Sequence, residues 1–386
     1  MIEIRYEKIY NQFIENYKEI HVNPWHEINE KELRKIYDTL LSSMDVNNEY
    51  TFKYFMDYII KRLNGTTDAH TKYEAISAIP MNFRMFGDEI LINYPEDLKN
   101  SKLITINEIS MDRIIHELED VISYGTPGKR RYEVEKSLFN KLVLFGLPSL
   151  RNADTLIFTI QKIDGSIIKK EFVRNKNYFE ELFDYDKYRY GNNATYRFID
   201  NCLVYNHSSV QSKFKEKIEQ AIELLKKEDL SNIDTIIVDL RGNTGGNAAL
   251  NQILMDFLKE NKDKQLFCLT DYRVFSGGRY ALCDLINLGA ITIGEEISTP
   301  INCYGNSHWF TIAQHNFSVS ECYFHPFAGW SASSKEEFQS EVTSELYAPY
   351  IFTPDILINE TKETYMKNND VILNYALEYS RKLIRK

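Results

Sequence analysis

The chain has 386 residues, 43% of them hydrophobic, enough for two or three packed domains, and this excludes wholesale disorder. Its formal net charge is −10, and a nucleic-acid backbone needs a basic field, so such a partner is excluded. No apolar run is long enough to cross a bilayer.

The opening residues, MIEIRYEKIYNQFIENY, are charged and amphipathic and contain no apolar signal core, so the expected location is the cytoplasm. Export with a leader removed is the alternative. Residues 1–75 read as helical, with Pro24 and Trp25 between helices and Gly65 as the C-cap of TFKYFMDYIIKRLNG. From about residue 80 to 175 short β-like runs flank a helical stretch, ISMDRIIHELEDVI, which predicts a small mixed α/β module. Asp164-Gly165 marks a hairpin turn within it. Lys129-Arg130-Arg131, beside Gly125, Pro127 and Gly128, reads as a solvated turn. Residues 176–195 are aromatic, polar and turn-rich, as a linker or surface loop is. After them strands and helices alternate: NCLVYNHSS, a helix over 213–227, DTIIVDL, AALNQILMDFLKEN, QLFCLT, RYALCDLINLG and AITIGE. That alternation predicts a parallel sheet covered by helices, with TIIVDL buried on both faces. The five cysteines, Cys202, Cys268, Cys283, Cys303 and Cys322, are odd in number and form no CxxC pair, so buried reduced thiols are expected.

Two glycine turns are the candidate chemistry. Asp239-Leu240-Arg241-Gly242-Asn243-Thr244-Gly245-Gly246 follows a strand and opens a helix. Such a turn aims backbone N–H groups at a developing negative charge, as an oxyanion hole or a phosphate cradle. It has no P-loop ending, and GNTGGN is not GxGxxG. A tight structural turn is the bland reading. In the second turn, Phe275-Ser276-Gly277-Gly278, a serine again stands where a strand gives way to a helix. A sharp turn there exposes a nucleophilic hydroxyl, while an ordinary N-cap is the bland reading. The candidate base is His70 in Asp68-Ala69-His70-Thr71; a lone histidine in a loop is usually structural. His308 and His315 lie in a β-like run near the C-terminal end.

This ordered set resembles the C-terminal-processing (tail-specific) serine peptidase family, especially its tricorn-type branch. The family pattern is a DGHT-like motif, DLRGNxGG, a serine opening a helix, a GE-containing strand end and a PD pair before a terminal helix. The chain has Asp68 to Thr71, Asp239 to Gly246, Ser276-Gly277, Gly294-Glu295, Thr353-Pro354-Asp355 and NDVILNYALEY in that order. The resemblance implies a crotonase-like α/β catalytic domain with a helical N-terminal region and a smaller β-rich module in the PDZ position. It implies the division 1–78, 79–175 and 176–386. Carried over by position, Ser276 is the nucleophile, His70 the base, and Gly277 with Gly245 or Gly246 the oxyanion hole. The implied substrate is a peptide or unfolded protein, and no metal or organic cofactor is implied.

The chain departs from the family at three places. The processing branch places a lysine base in a TxGKG segment, where this chain has Ser298-Thr299-Pro300-Ile301-Asn302. The tricorn-type branch has a glutamate where a gapless count finds Ala348, with Glu341 and Glu345 nearby. The middle module shows no GLGF-like carboxylate loop. Two other readings stay open: a peptide-binding pseudoenzyme, and an acyl-CoA enzyme of crotonase-like fold.

Overall fold

The computed structural model describes residues 2–46, 48–178 and 192–384. The chain forms two compact units, Met1–Tyr185 with Asn302–Pro349, and Asp186–Ile301 with Tyr350–Lys386.

The first unit begins with three helices, Ile2–Ile20, Glu30–Ser43 and Glu49–Asn64. Asn29 caps the second through the N–H of Glu32, and Asn48 forms a capping box with Thr51 at the third. Gly65 ends the third helix with φ +52°, as its position in the sequence predicts. Pro24 and Trp25 lie between the first two helices. The α/β module follows as an antiparallel sheet in the order Asn82–Phe86, Glu89–Tyr94, Lys102–Ile106, Thr155–Gln161, Ile167–Val173. The last two strands meet at the Asp164-Gly165 turn, where Asp164 Oδ1 accepts the Ser166 N–H and Gly165 takes φ +85°.

Three expectations need correction or restriction here. Lys129-Arg130-Arg131 is not a solvated turn. Thr126 caps a helix over Pro127–Phe139, with Pro127 in its first turn, and Glu133 then falls one turn beyond Lys129. Lys129 is buried and pairs with Glu133 at 2.8 Å, while Arg130 meets Glu119 and Asp88. The N-terminal region is not helical to residue 75, because Lys72–Glu74 is a strand. It pairs antiparallel with His315–His325, Tyr73 opposite Phe317, in a second sheet that also holds Cys303–Ile312 and Trp330–Ala332. Part of the expected linker, 179–191, lies outside the described residues.

The second unit is built on a six-stranded sheet in the order Ile356–Leu357, Ile291–Gly294, Gln265–Thr270, Thr235–Asp239, Cys202–Asn206, Thr195–Ile199. All neighbours are parallel except the last pair. Thr235–Asp239 is buried at every position, as its unbroken apolar run predicts. Ile372, Leu373, Ala376 and Leu377 of the terminal helix Val371–Ile384 pack on Val204, Ile237, Phe267 and Ile293. Both glycine turns therefore leave the C-terminal ends of adjacent parallel strands, where such sheets collect their functional groups. All five cysteines are buried, as reduced thiols. Among the described residues no helix is long and apolar enough to cross a membrane, and no group of three or more His, Cys, Asp or Glu is arranged to hold a metal.

Candidate active site

In the second unit the two glycine turns interlock. A Cβ on Gly245 would stand 2.7 Å from both Gly277 N and Ser276 Cβ. One on Gly277 would stand 3.1 Å from Gly246 O and 3.2 Å from Gly246 N. Gly245 and Gly246 have φ of +96° and +130°, so the turn needs glycine for its backbone angles as well as for the close approach. Buried Asn243 holds the two turns together. Its Oδ1 accepts the Gly245 N–H at 2.9 Å, its Nδ2 donates to His207 O, and its carbonyl accepts the Phe275 N–H. Asp271 does the same from the other side, its Oδ1 accepting the N–H groups of Gly242 and Arg273 at 3.0 Å each.

Ser276 opens the helix Gly277–Asn287 with φ +50° and ψ −120°. Its side chain makes no capping hydrogen bond, so the ordinary N-cap reading does not describe it. Strained backbone at a strand-to-helix turn is the geometry in which a serine hydroxyl is presented outward. No acceptor among the described residues takes the N–H of Gly246 or of Gly277. The Gly245 N–H is already given to Asn243, which leaves Gly246 and Gly277 as the pair of donors beside Ser276.

Asp239 and Arg241, the most charged part of the first turn, have a structural role. Arg241 forks onto Asp239 and onto Asp370, at 2.6–2.9 Å over four bonds, and Asp370 also accepts the Leu373 N–H. The turn is thereby tied to the start of the terminal helix. His207, fully buried, meets Asn251 Oδ1 at 2.9 Å, and Asn251 donates to Gly277 O. Burial pulls the His207 imidazole below its ordinary pKa.

His70 belongs to the first unit. Its Nδ1 lies 3.2 Å from the carbonyl of Tyr304. A carbonyl only accepts, so Nδ1 is the donor in this contact. The loop is fixed by Asp68, only 1% exposed, whose Oδ1 accepts the N–H groups of His70 and Thr71 and the hydroxyl of Ser320. The Ser318 hydroxyl holds His70 O. His21 Nδ1 accepts the Asn23 N–H, and its Nε2 faces Asp68 Oδ2 at 3.3 Å, off hydrogen-bond geometry. Burial disfavours the charged form of Asp68, but the polar contacts with His21, Ser320 and Thr71 outweigh it and hold the carboxyl well below the usual range. Gly305 lies beside the imidazole: a Cβ there would be in ordinary contact with its Cε1, at 3.4 Å.

The structure thus gathers Ser276, Gly245, Gly246 and Gly277 within one unit and builds the setting of His70 within the other. Of the acids considered, Glu341 accepts from Trp330 Nε1 at 2.9 Å, and Glu345 is exposed on the single turn Ser344–Tyr347. Ala348 has no acidic side chain; its carbonyl accepts from Asn302 and its N–H caps the turn at Ser344 O. Asn243 could have been read from the DLRGNTGG motif. Tyr304 left no such signal, since it acts through a backbone carbonyl. His308 pairs with Glu321 and His315 with Tyr73, both on the hairpin sheet.

No family model and no curated protein matches the sequence. Solved structures do. Mature CPAF complexed with lactacystin aligns with TM-score 0.59 at 9% identity, covering 92% of each chain. The photosystem II D1 C-terminal processing protease aligns at TM-score 0.40 and 10% identity, over 90% of this chain and 92% of that one. Tricorn protease aligns at TM-score 0.41 and 12% identity, over 98% of this chain and 37% of that one. The first of these likenesses shows that the fold is of the CPAF kind.

Proposed function

We propose that the chain is a serine-type peptidase of the C-terminal-processing and tricorn-like kind, with Ser276 as nucleophile and His70 as general base. The parallel-sheet unit is its crotonase-like core, and residues 79–175 hold the place of the PDZ module. Residues 1–78 supply the histidine motif, with 302–349 folded beside it; the rest of 176–386 carries the serine.

The observation that supports this reading most is Ser276 at φ +50° and ψ −120°, without a capping bond, beside two glycine N–H groups that no described acceptor takes. In the reaction, Ser276 Oγ attacks a peptide carbonyl carbon and its proton passes to His70 Nε2. Negative charge develops on the carbonyl oxygen, where the N–H groups of Gly246 and Gly277 receive it; one such donor is worth about 2.7–4 kcal/mol. Collapse expels the amine, which takes the proton from His70. Water, deprotonated by His70, then releases the acyl group and restores the serine. The substrate is a peptide or unfolded chain, and no cofactor enters the scheme. The Nδ1–H of His70 is given to the Tyr304 carbonyl, where a carboxylate stands in many serine hydrolases.

A fluorophosphonate probe tests the assignment. The wild type should be labelled, Ser276→Ala should not, and His70→Ala should react about a hundredfold or more slowly. Equal labelling of the wild type and Ser276→Ala would remove Ser276 as the nucleophile.

A further inference from the structure

We propose that the first unit carries a second ligand site, which binds a small anion bearing its own hydrogen-bond donor, such as hydrogen phosphate or a short hydroxycarboxylate. The site is a cavity of about 120 Å³ lined by the helices Glu49–Asn64 and Pro127–Phe139 and the strand Lys72–Glu74. That is room for several water-sized groups.

Four lysines and three carboxylates line this cavity. Lys53 pairs with Asp57 at 2.8 Å, Lys129 with Glu133 at 2.8 Å, and Lys72 with Glu74. Each acid is then matched, and Lys136 must share Glu133 from 3.8 Å. The wall therefore holds a surplus of one positive charge. Burial, and after it the like charge of Lys136, pulls the Lys72 ammonium below its ordinary pKa. Lys72 on the strand and Lys136 on the helix both line this space; Glu133 above all, with Glu74 and Asp57, favours the charged form of Lys136, and an anion between the two ammonium groups offsets the one positive charge left over.

A second, independent observation sets the ligand's other requirement. Asn64 lines the same cavity and is 3% exposed. Its Nδ2 donates to Thr71 O, which fixes the orientation of the amide. Its Oδ1 has no hydrogen-bond partner among the described residues. A buried acceptor of this kind calls for a donor. The occupant therefore needs negative charge for the lysines and an O–H or N–H for Asn64. Hydrogen phosphate and a hydroxycarboxylate such as lactate satisfy both conditions, whereas sulfate and acetate satisfy only the first.

The test is calorimetric titration of the full chain at pH 7 and constant ionic strength with inorganic phosphate, lactate, sulfate and acetate. Saturable binding is expected for phosphate or lactate, at least tenfold tighter than for sulfate or acetate respectively. The tighter of the two identifies whether the source is a phosphate or a carboxylic acid. Lys136→Gln, at a side chain 44% exposed, keeps the fold and should weaken that binding at least tenfold. No saturable binding, equal binding of phosphate and sulfate together with lactate and acetate, or unchanged binding by Lys136→Gln would each overturn the proposal.

Discussion

Ser276 occupies backbone angles that few side chains tolerate, and this makes a stability measurement informative. A residue so placed stores about 1–3 kcal/mol of strain, which glycine relieves. At an unstrained position alanine is more stable than glycine by about 0.5–1 kcal/mol. The order should reverse here: Ser276→Gly is expected to be about 1 kcal/mol more stable than Ser276→Ala in urea denaturation, with neither labelled by the probe. If Ser276→Ala is the more stable of the two, the turn is not strained in solution. The glycines of the first turn do not allow an equally clean experiment. A Cβ at Gly245 or Gly246 would stand 2.5–2.7 Å from neighbouring backbone atoms, so loss of activity there would report a displaced turn as readily as a lost donor.

Among the elements, the terminal helix is bound to the first glycine turn by Arg241. The guanidinium satisfies Asp239, whose side chain is 8% exposed, and Asp370, which is 39% exposed. Removing the arginine leaves a nearly buried carboxylate without its partner, whereas neutralising Asp370 leaves the inner pair intact. Arg241→Ala should therefore cost about 3 kcal/mol. Asp370→Asn should cost about 1 kcal/mol or less. Comparable losses in the two variants, measured by denaturant midpoint, would show that the outer bond carries as much as the inner one. The sequence offered DLRGNTGG as a single functional motif. In the folded unit its charged half secures a helix, and its glycine half faces the serine.

For the whole molecule, buried ionisable groups set the response to acid. His26 is held down at about 4, first by burial and then by His21. Its folded pKa lies below the unfolded value of about 6.5, so the unfolded chain binds more protons between those limits. Stability is full above about pH 6.5 and falls as pH drops toward 4, by at most about 3 kcal/mol from this group. Buried His207, its pKa also lowered by burial, acts in the same direction. Asp68 has a depressed pKa, so its contribution is full above about pH 4 and is lost at lower pH. Denaturant midpoints should thus decline in two stages on acidification. His26→Phe should flatten the stage between pH 6.5 and 4 and leave the lower one in place. An unchanged slope in that variant would assign the first stage to other groups.

The sequence by itself determined what is local. Gly65 ends its helix and Asp164-Gly165 turns its hairpin through the backbone freedom of those residues. The unbroken apolar run at 235–239 and the strand–helix alternation gave the parallel sheet, because burial on both faces leaves a compositional mark. The order of DAHT, DLRGNTGG and FSGG put forward His70, Gly245, Gly246, Ser276 and Gly277 as candidates. Tertiary structure alone decided which distant segments meet. Residues 302–349 fold with the first unit, Lys72–Glu74 becomes a strand because His315–His325 pairs with it, and Lys129 is buried because Glu133 stands one turn away on a helix begun at Pro127. It also decided that the Tyr304 carbonyl holds His70 and that Asn243 takes the Gly245 N–H. Every residue carries a carbonyl and an amide, so such partnerships leave no trace in composition or spacing; only the approach of two remote backbone segments creates them.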